Sequence, residues 1–244
     1  MNKNLIKSRF SRHLEDYSVN AVVQKQMAEK LAKLCSRKEY GSVLEIGCGT
    51  GFLTNYLNES IKFTKYVAID IVEECGDYIS KINNDIVFNP ADIESFALDK
   101  YDLIISNAVL QWTENFKDIL LKLRKALNPS GELIFTTFGK EHFREIYYIS
   151  GMSLNYYSES ELREGLTSNS DEIVINSEIY IKSFNTPRDV LKHLKLTGVN
   201  SLETKSWTKS DLKMFENAYQ NLCNSRPTLT YNPIYVKYQN KTIG

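Results

Sequence analysis

The sequence predicts an α/β fold in which helices cover both faces of a mostly parallel, seven-stranded sheet. Three observations carry this prediction. Strand-like and helix-like segments alternate between residues 42 and 138, a glycine-rich turn joins the first strand to the first helix, and a turn at 128–131 precedes the fifth strand. Such alternation is typical of parallel sheets, because parallel strands need long crossover connections.

The elements of this alternating region are predicted in chain order. Strands are expected at 42–46, 65–70, 86–89, 101–106 and 131–138, with helices at 51–58, 73–82 and 115–127. The turn Asn128-Pro129-Ser130-Gly131 ends the last of these helices. Ahead of the sheet, residues 8–35 are predicted to form an amphipathic N-terminal helical arm. Its apolar positions are Leu14, Val22, Val23, Met27, Leu31 and Leu34.

The pattern changes after the fifth strand. Residues 140–168 look helical and carry the aromatic side chains of Phe143, Tyr147, Tyr148, Tyr156 and Tyr157. A sixth strand is predicted at 172–184, helical segments at 187–197 and 208–222, and a last strand at 231–238. We interpret 140–168 and 187–222 as lid insertions over the carboxyl edge of the sheet, where open parallel sheets bind ligands. The chain 1–244 is expected to be one domain.

Composition excludes several function classes. Lysine plus arginine and aspartate plus glutamate both number 30 among 244 residues, so the net charge is zero and predicts no nucleic-acid partner. No apolar run approaches the roughly 20 residues of a membrane span, and the first residues lack the apolar core of a signal peptide. The four cysteines form no Cys-x-x-Cys pair, which argues against a metal site and favours a cytoplasmic location.

The segment 43–51 runs from an apolar strand into a turn that contains three glycines. Its turn residues are Gly47, Cys48, Gly49, Thr50 and Gly51. Such a turn suits either a dinucleotide or S-adenosylmethionine, since glycine lets a ligand approach the backbone closely. A dinucleotide fingerprint would have glycine or alanine where Phe52 stands. Glu45 would repel a pyrophosphate but attract an ammonium or a sulfonium, so we favour S-adenosylmethionine.

Polar residues follow three other strands at the same predicted edge. Asp70 ends the second strand about 20 residues after the turn, where an acidic side chain can accept ribose hydroxyls, with Ile71 beside it. Asp92 follows the third strand and is expected to accept the adenine amino group, while Ile93 packs on the ring. The backbone carbonyl of Asn107, after the fourth strand, is expected to face the methionyl ammonium.

With these positions assigned, the first 138 residues resemble a Rossmann-like class I S-adenosylmethionine-dependent methyltransferase. The resemblance extends further, to the malonyl-acyl-carrier-protein O-methyltransferases, which open bacterial biotin synthesis. The matching segments are 9–12 with Tyr17, 92–95, 106–107 with 111–112, 135–138, 194–199 and 229–233. The last two segments carry most weight, because methyltransferases in general share no sequence there.

This family resemblance implies a reaction and a partner. A methyl group would pass from S-adenosylmethionine to the free carboxylate of a malonyl thioester, carried by acyl-carrier protein or, alternatively, by coenzyme A. The products would be the methyl ester, from which pimeloyl synthesis for biotin starts, and S-adenosylhomocysteine. Two alternatives stay open at this point: a small-molecule methyltransferase with another acceptor, and an S-adenosylmethionine-binding protein without catalysis.

The chemistry predicts positioning residues rather than a general base, because a malonyl carboxylate is already ionised at pH 7. Arg144 is expected to grip the carboxylate, and Tyr17 to donate a hydroxyl hydrogen bond that closes the site. Trp112 is expected to form part of the wall of the substrate site. His142 would become the base only if the acceptor were a hydroxyl or an amine. An acidic carrier protein would need a basic surface, for which the candidates are Lys182, Arg188, Lys192, Lys195, Lys205, Lys209 and Lys213.

Overall fold

The computed structural model describes residues 3–166, 172–197, 208–223 and 226–240. Within these ranges the strands are β1 (Glu39–Ile46), β2 (Lys62–Asp70), β3 (Ile86–Pro90), β4 (Tyr101–Asn107), β5 (Leu127–Phe138), β6 (Glu172–Ser177), β7 (Tyr180–Ser183), β8 (Thr228–Tyr231) and β9 (Pro233–Gln239). The helices are α1 (Lys3–Ser11), α2 (Leu14–Asn20), α3 (Val22–Ala32), α4 (Phe52–Ser60), α5 (Cys75–Ile82), α6 (Phe116–Lys125), α7 (Arg144–Ser150), α8 (Glu159–Leu166), α9 (Pro187–Leu196) and α10 (Lys209–Leu222).

The seven-stranded, mostly parallel sheet is confirmed. Its order is β3-β2-β1-β4-β5-β9-β6. Strands β1 to β5 run parallel, whereas β9 lies antiparallel to both β5 and β6. The chain moves outward from β1 to β3 and then returns to place β4 on the other side of β1. This reversal creates a crevice at the carboxyl ends of β1 and β4, which is where ligands bind in open α/β sheets.

Both faces of the sheet are covered by helices. Neighbouring residues of one strand belong to different apolar clusters: Val43 packs on one side of the sheet, and Leu44 on the other. Strands that are buried on both faces read as continuous apolar runs, which is why 42–46 and 101–106 were recognisable in the sequence. None of the helices in the described ranges combines the length and apolar character needed to cross a bilayer.

The strand predicted at 172–184 is in fact two strands, β6 and β7. Strand β6 pairs with β9 in the main sheet, whereas β7 pairs with β8 in a separate two-stranded sheet. The break between β6 and β7 lies opposite the break between β8 and β9. The Asn232 side chain donates to the Glu178 carbonyl at 2.9 Å, and the Glu178 amide donates to the Pro233 carbonyl at 3.0 Å. Because Pro233 has no N–H to continue the β8 ladder, the chain changes sheets there.

The N-terminal arm, predicted as helical over 8–35, consists of the three helices α1, α2 and α3. Breaks fall at residues 12–13 and at Ala21, whose φ and ψ are −82° and 50°. Leu14, Val23, Met27 and Leu31 are buried, as their spacing predicted, but Val22 is 46% exposed. The breaks let α1 and α2 turn across the carboxyl edge of the sheet instead of extending α3.

The predicted insertions are less continuous than the sequence indicated. Within 140–168, helices α7 and α8 are separated by the non-helical segment 151–158. The buried Glu145 ties α7 to β8, because its carboxylate accepts from the Thr230 amide at 2.9 Å and the Thr230 hydroxyl at 2.6 Å. The second insertion contains α9 and α10. Residues 167–168 and 198–207 lie outside the described ranges, as do Gly198, Val199 and Lys205 among the predicted positions.

The turn predicted at 128–131 lies inside β5 as an irregularity of the strand. Tyr101 pairs with Leu127, and the next pair in register is Leu103 with Glu132. Ser130 adopts a φ of 60°. The predicted fifth strand, 131–138, corresponds to the regular part of β5 that reaches the carboxyl edge.

Candidate active site

A cleft lies at the carboxyl edge of the sheet, where the glycine turn and the ends of β2, β3 and β4 meet. It encloses about 1360 Å³, including the solvent at its mouth. The walls come from α1, α2, α3 and the loops around α7. The cleft therefore brings together the strand-end residues predicted from sequence, and the N-terminal arm covers them.

The backbone amides of the glycine turn are largely used inside the protein. The amides of Gly47 and Cys48 both donate to the Ile69 carbonyl, at 2.7 and 3.2 Å, and the amide of Gly49 donates to the Asp70 carboxylate at 3.0 Å. A strand-to-helix turn can aim unpaired N–H groups at a ligand, but these three amides are not available for that purpose. A pyrophosphate would need such free amides, so their internal use is a further argument against a dinucleotide.

The turn instead provides a backbone shape that only glycine adopts easily. Gly47, Gly49 and Gly51 have φ values of 70°, 51° and 83°. A side chain at Gly47 would also collide with its surroundings, since a Cβ atom there would lie 2.2 Å from Cγ2 of Val109. The close approach of Val109, in the segment after β4, to the turn thus depends on the absence of a side chain.

Glu45 lies beneath the turn, lines the cleft and is only 1% exposed. Its Oε2 accepts from the Thr54 hydroxyl at 2.8 Å and the Tyr66 hydroxyl at 2.5 Å, whereas its Oε1 has no hydrogen-bond partner among the described residues. Burial raises the pKa of Glu45 to about 7, although the two hydroxyl donors partly oppose this effect. One carboxylate oxygen therefore remains for a cationic ligand group.

We expect the affinity for an ammonium-bearing ligand such as S-adenosylhomocysteine to fall as the pH drops below 7. The ionised Glu45 carboxylate attracts the ammonium, and protonation removes this attraction. With a pKa of about 7, one linked proton lowers affinity by at most about tenfold per pH unit below that value. Calorimetric titration with S-adenosylhomocysteine between pH 5.5 and 8 measures this dependence.

Glu45→Gln is the control for this titration, because it keeps the shape of the side chain but cannot ionise. Its affinity should be lower at pH 8 and should vary less below pH 7; an equal slope in both proteins would contradict the assignment to Glu45. The same pKa shift predicts that the ligand-free wild type loses stability as pH rises from about 4.5 to 7, because the folded state retains a proton that the unfolded chain has released.

Asp70 lies at the end of β2, as predicted, and its buried carboxylate holds the turn in place. Its Oδ2 accepts from the Gly49 amide at 3.0 Å, and its Oδ1 accepts from the Val72 amide at 2.9 Å. Burial raises the pKa of this carboxyl group, an effect that the backbone donors partly offset. Each carboxylate oxygen can accept a second hydrogen bond, so a role in holding ribose hydroxyls stays a prediction. Ile71 lines the cleft beside it.

Asp92 and Ile93 line the cleft beyond the end of β3. Oδ2 of Asp92 lies 2.5 Å from the Lys3 ammonium, and Lys3 also pairs with Glu94. Oδ1 of Asp92 accepts from the Glu94 amide at 3.0 Å. Ile93 is buried, as its predicted packing role requires. The carboxylate expected to receive an adenine amino group thus already faces a cation from α1.

Asn107 connects the end of β4 to α3 and β5. Its side-chain amide donates to the Gln24 carbonyl at 3.0 Å, and its Oδ1 accepts from the Thr136 hydroxyl at 2.8 Å. The residue lines the cleft. Its side chain therefore positions the wall, and only its backbone is left for the predicted contact with a ligand.

Four buried polar atoms around the cleft lack a hydrogen-bond partner within the described ranges. They are Gln24 Oε1, Glu45 Oε1, Thr50 Oγ1 and Gln111 Oε1. Unsatisfied buried polar atoms are costly in a folded protein, and all four of these oxygens can accept from an ammonium or from ribose hydroxyls. This set fits the donor groups of S-adenosylmethionine.

Gln24, Thr50 and Gln111 were not singled out as ligands from the sequence. For Gln24 a signal was present, because it shares the buried face of α3 with Met27 and Leu31. A polar side chain on an apolar helix face needs a partner. Thr50 and Gln111 carried no comparable signal, since both lie in loops or short turns whose side-chain directions the sequence pattern does not determine.

Aromatic side chains form another part of the cleft wall, which includes Tyr17, His142 and Tyr156 and is called the aromatic end below. Tyr17 stacks on Phe52 with ring centroids 5.7 Å apart and meets the Phe10 ring edge-on at 4.9 Å. Burial and the nearby Asp70 carboxylate raise the pKa of its hydroxyl, so Tyr17 stays protonated and can donate. Trp112 also lines the cleft, as predicted. The roles of both residues toward a substrate stay predictions.

Arg144 is the predicted residue that the structure does not bring to the cleft. It begins α7, and its guanidinium pairs with Glu141 at 3.0 Å while 42% of its side chain is exposed. The surfaces that face the cleft from this region belong instead to Phe138, His142, Leu154 and Tyr156. Its predicted grip on a carboxylate would require the side chain to leave Glu141.

The strand order, the glycine turn and the acidic strand ends define a class I methyltransferase. A family model described as a methyltransferase domain matches residues 19–169, and the chain belongs to that family. A malonyl-[acyl-carrier protein] O-methyltransferase of Calditerrivibrio nitroreducens is 37% identical over 94% of each chain. One of Chlorobium luteolum is 34% identical over 96% of this chain and 94% of its own. The chain is a member of the malonyl-[acyl-carrier protein] O-methyltransferase family.

Solved structures support the fold independently. The plantazolicin methyltransferase BpumL, in complex with S-adenosylhomocysteine, superimposes with a TM-score of 0.58 at 17% identity, over 98% of this chain and 94% of that one. The N-methyltransferase NodS of Bradyrhizobium japonicum, also in complex with S-adenosylhomocysteine, gives a TM-score of 0.57 at 14% identity, over 97% and 99%. At such low identity the similarity establishes the fold alone.

Proposed function

We propose that the protein transfers a methyl group from S-adenosylmethionine to the free carboxylate of a malonyl thioester carried by acyl-carrier protein. The observation that carries the proposal is the extent of the similarity to relatives of that name. It covers 94% to 96% of this chain and so reaches well past residue 169, where the match to the methyltransferase family model ends. The family resemblance places the product, a methyl ester, at the start of pimeloyl synthesis for biotin.

The donor would lie along the ends of β1, β2 and β3. Glu45 and Gln24 would face its ammonium, Asp70 its ribose hydroxyls and Asp92 its adenine amino group. Support comes from the unpartnered buried oxygens of Glu45 and Gln24. When bound, S-adenosylmethionine supplies a methyl group activated by a sulfonium, which is why the protein needs no nucleophile of its own.

The residues at the aromatic end would bind the acceptor and exclude water. A carboxylate is ionised at neutral pH, so the side chains need only hold it near the methyl group and keep its oxygen unsolvated. Phe138, Leu154 and Tyr156 provide apolar surface for this purpose. Tyr17 would donate a hydrogen bond to the carboxylate, and Trp112 would form part of the wall beside it. Arg144 stays a candidate for the carboxylate or for the carrier, since its exposed side chain lies beside the lid.

The test of the proposed function is an assay with labelled S-adenosylmethionine and malonyl-acyl-carrier protein. We expect a labelled methyl group that base hydrolysis releases, as a methyl ester requires. Acetyl-acyl-carrier protein is the matched control, because it has the same carrier and thioester but no free carboxylate. Transfer to a phenol or an amine, with none to the malonyl group, would contradict the proposal.

Helix α9 provides a basic surface next to the cleft. Its residues Lys192 and Lys195 are exposed, and Thr197, which directly follows the helix, lines the cleft. The acidic residues nearby are partly neutralised, because Asp189 caps α9 and Asp211 caps α10 through hydrogen bonds to backbone amides. Arg188 is less available, since it pairs with Glu216. An acidic carrier protein would complement the exposed lysines.

We expect the double charge reversal Lys192→Glu and Lys195→Glu to raise the KM for malonyl-acyl-carrier protein about tenfold at low salt, because steering by complementary charge is lost. The KM for malonyl-CoA should change little, since that acceptor is small. The control is Lys38→Glu with Lys62→Glu, two exposed lysines at the opposite edge of the sheet. Equal effects of both pairs, or none of either, would exclude α9 as the docking surface.

A further inference from the structure

His142 has an unusual environment at the aromatic end of the cleft. Its ring is stacked between Phe138 and Phe143, with centroid distances of 3.7 and 3.8 Å, and the residue is only 3% exposed. Tyr156 and Tyr231 meet the ring edge-on at 5.2 and 5.3 Å. Four aromatic side chains thus fix the plane of the imidazole, which nevertheless lines the cleft.

Backbone contacts determine which nitrogen of His142 carries the proton. Nδ1 lies 3.3 Å from the backbone amide of Asn232, which can only donate. Nδ1 must therefore be the unprotonated acceptor, and the proton of the neutral ring resides on Nε2. Burial holds the pKa of His142 well below 6.5, so the ring stays neutral at physiological pH. Within the described residues no group accepts a hydrogen bond from Nε2.

We propose that Nε2–H of His142 donates a hydrogen bond to the acceptor carboxylate, at the oxygen that is not methylated. The inference rests on the proposed function, because it assigns a binding partner to the malonyl carboxylate. It identifies His142 as a substrate-binding residue that selects a carboxylate acceptor. It also gives that carboxylate a ligand inside the cleft, where Arg144 is not found.

A neutral donor suits this reaction better than a cation does. The carboxylate loses its negative charge when it becomes an ester, so a cation placed against it would lose its counter-charge in a dry site. Lys3 is the one lysine or arginine that lines the cleft within the described ranges, and it lies at the end formed by Asp92. A neutral N–H can bind the anion and remain compatible with the uncharged ester.

The same tautomer argues against His142 as a general base. A base facing the acceptor must offer a bare nitrogen, whereas the Asn232 amide occupies the bare nitrogen of this ring. Methylation of a hydroxyl or an amine would need a base at this position. The arrangement therefore favours an acceptor that is already ionised.

The test uses three substitutions that separate the two ring nitrogens. His142→Gln places an amide N–H near the position of Nε2, His142→Asn places an amide oxygen near that of Nδ1, and His142→Phe keeps the stacking but has neither. We expect kcat/KM for malonyl-acyl-carrier protein to fall about 10- to 100-fold in His142→Asn and His142→Phe. His142→Gln should retain most of the activity. Titration with S-adenosylhomocysteine should give affinities close to wild type for all three variants. Thermal unfolding measures the stability that each variant loses with the ring stacking or with the acceptor for the Asn232 amide.

The outcomes are distinguishable. Rescue by His142→Asn but not by His142→Gln would show that the residue serves Asn232 rather than the substrate, and would overturn the inference. Activities within twofold of wild type for all variants, or a common loss of S-adenosylhomocysteine binding, would overturn it as well. If the wild type still methylates malonyl-acyl-carrier protein in these cases, the inference on His142 fails but the proposed function stands. A wild type that binds S-adenosylhomocysteine but methylates no malonyl thioester would refute both.

Discussion

Asp70→Asn should weaken S-adenosylhomocysteine binding about 100-fold. Both carboxylate oxygens of Asp70 accept backbone amides, one from Gly49 in the turn and one from Val72. The substitution replaces one oxygen by an NH2 group, which then faces a backbone N–H. Losing a hydrogen bond to a charged group costs about 1.5–3 kcal/mol, and the turn is released from β2. Any ribose contact made by the carboxylate is weakened too. Calorimetric titration measures the affinity.

Asp102→Asn is the matched control for this experiment. Asp102 also accepts a backbone amide, that of Ser42 at 2.8 Å, and a side-chain amide, that of Asn128 at 2.8 Å. It lies away from the cleft near the amino ends of the strands. We expect Asp102→Asn to lower stability without changing S-adenosylhomocysteine affinity. If both variants bind equally well, Asp70 has only a structural role.

Gly47→Ala should lower the free energy of unfolding by about 3 kcal/mol, because two costs add. A non-glycine residue in the left-handed region costs about 1–2 kcal/mol, and forcing a methyl group into a packed site costs about 1–3 kcal/mol. The added Cβ atom would stand 2.2 Å from the Val109 side chain, so the segment that follows β4 must move away from the turn. Because this movement opens the floor of the cleft, S-adenosylhomocysteine affinity should fall at least about tenfold. Chemical denaturation and titration give the two values.

Gly151→Ala separates the two costs. Gly151 has the same φ of 70° as Gly47, but a Cβ atom there would meet no atom within 4 Å. Only the backbone cost of about 1 kcal/mol is expected, with unchanged S-adenosylhomocysteine affinity. Equal destabilisation by the two substitutions would mean that Val109 moves without cost and that the turn does not depend on its close contact with this side chain.

The central sheet and the donor site were predictable because both depend on local signals. Continuous apolar runs identify strands that are buried on both faces, and parallel strands bring their carboxyl ends to one edge. Glu45 lies near the end of such a run, Asp70 ends one and Asp92 follows one, so their meeting at the cleft follows from topology alone. The glycine pattern added the shape of the turn, although it did not reveal that the amides of Gly47, Cys48 and Gly49 are bound internally.

The acceptor end depended on tertiary contacts that no periodicity encodes. The break between β6 and β7 requires Asn232 to meet Glu178, which is far away in sequence. The tautomer of His142 depends on a backbone amide 90 residues later in the chain. The sequence therefore showed which side-chain types occur at this end of the cleft, but not how those side chains are oriented.

Helix α1 is expected to control how fast the donor is exchanged between catalytic cycles. Helix α1 contributes Lys3, Ile6 and Phe10 to the wall of the cleft, yet it has no buried residue of its own. An element with so little buried surface opens at low free-energy cost. Spent donor would have to leave past this helix, and fresh donor would have to enter the same way. The rate of the catalytic cycle is then expected to follow the opening of α1, as in enzymes whose product release is slower than their chemistry.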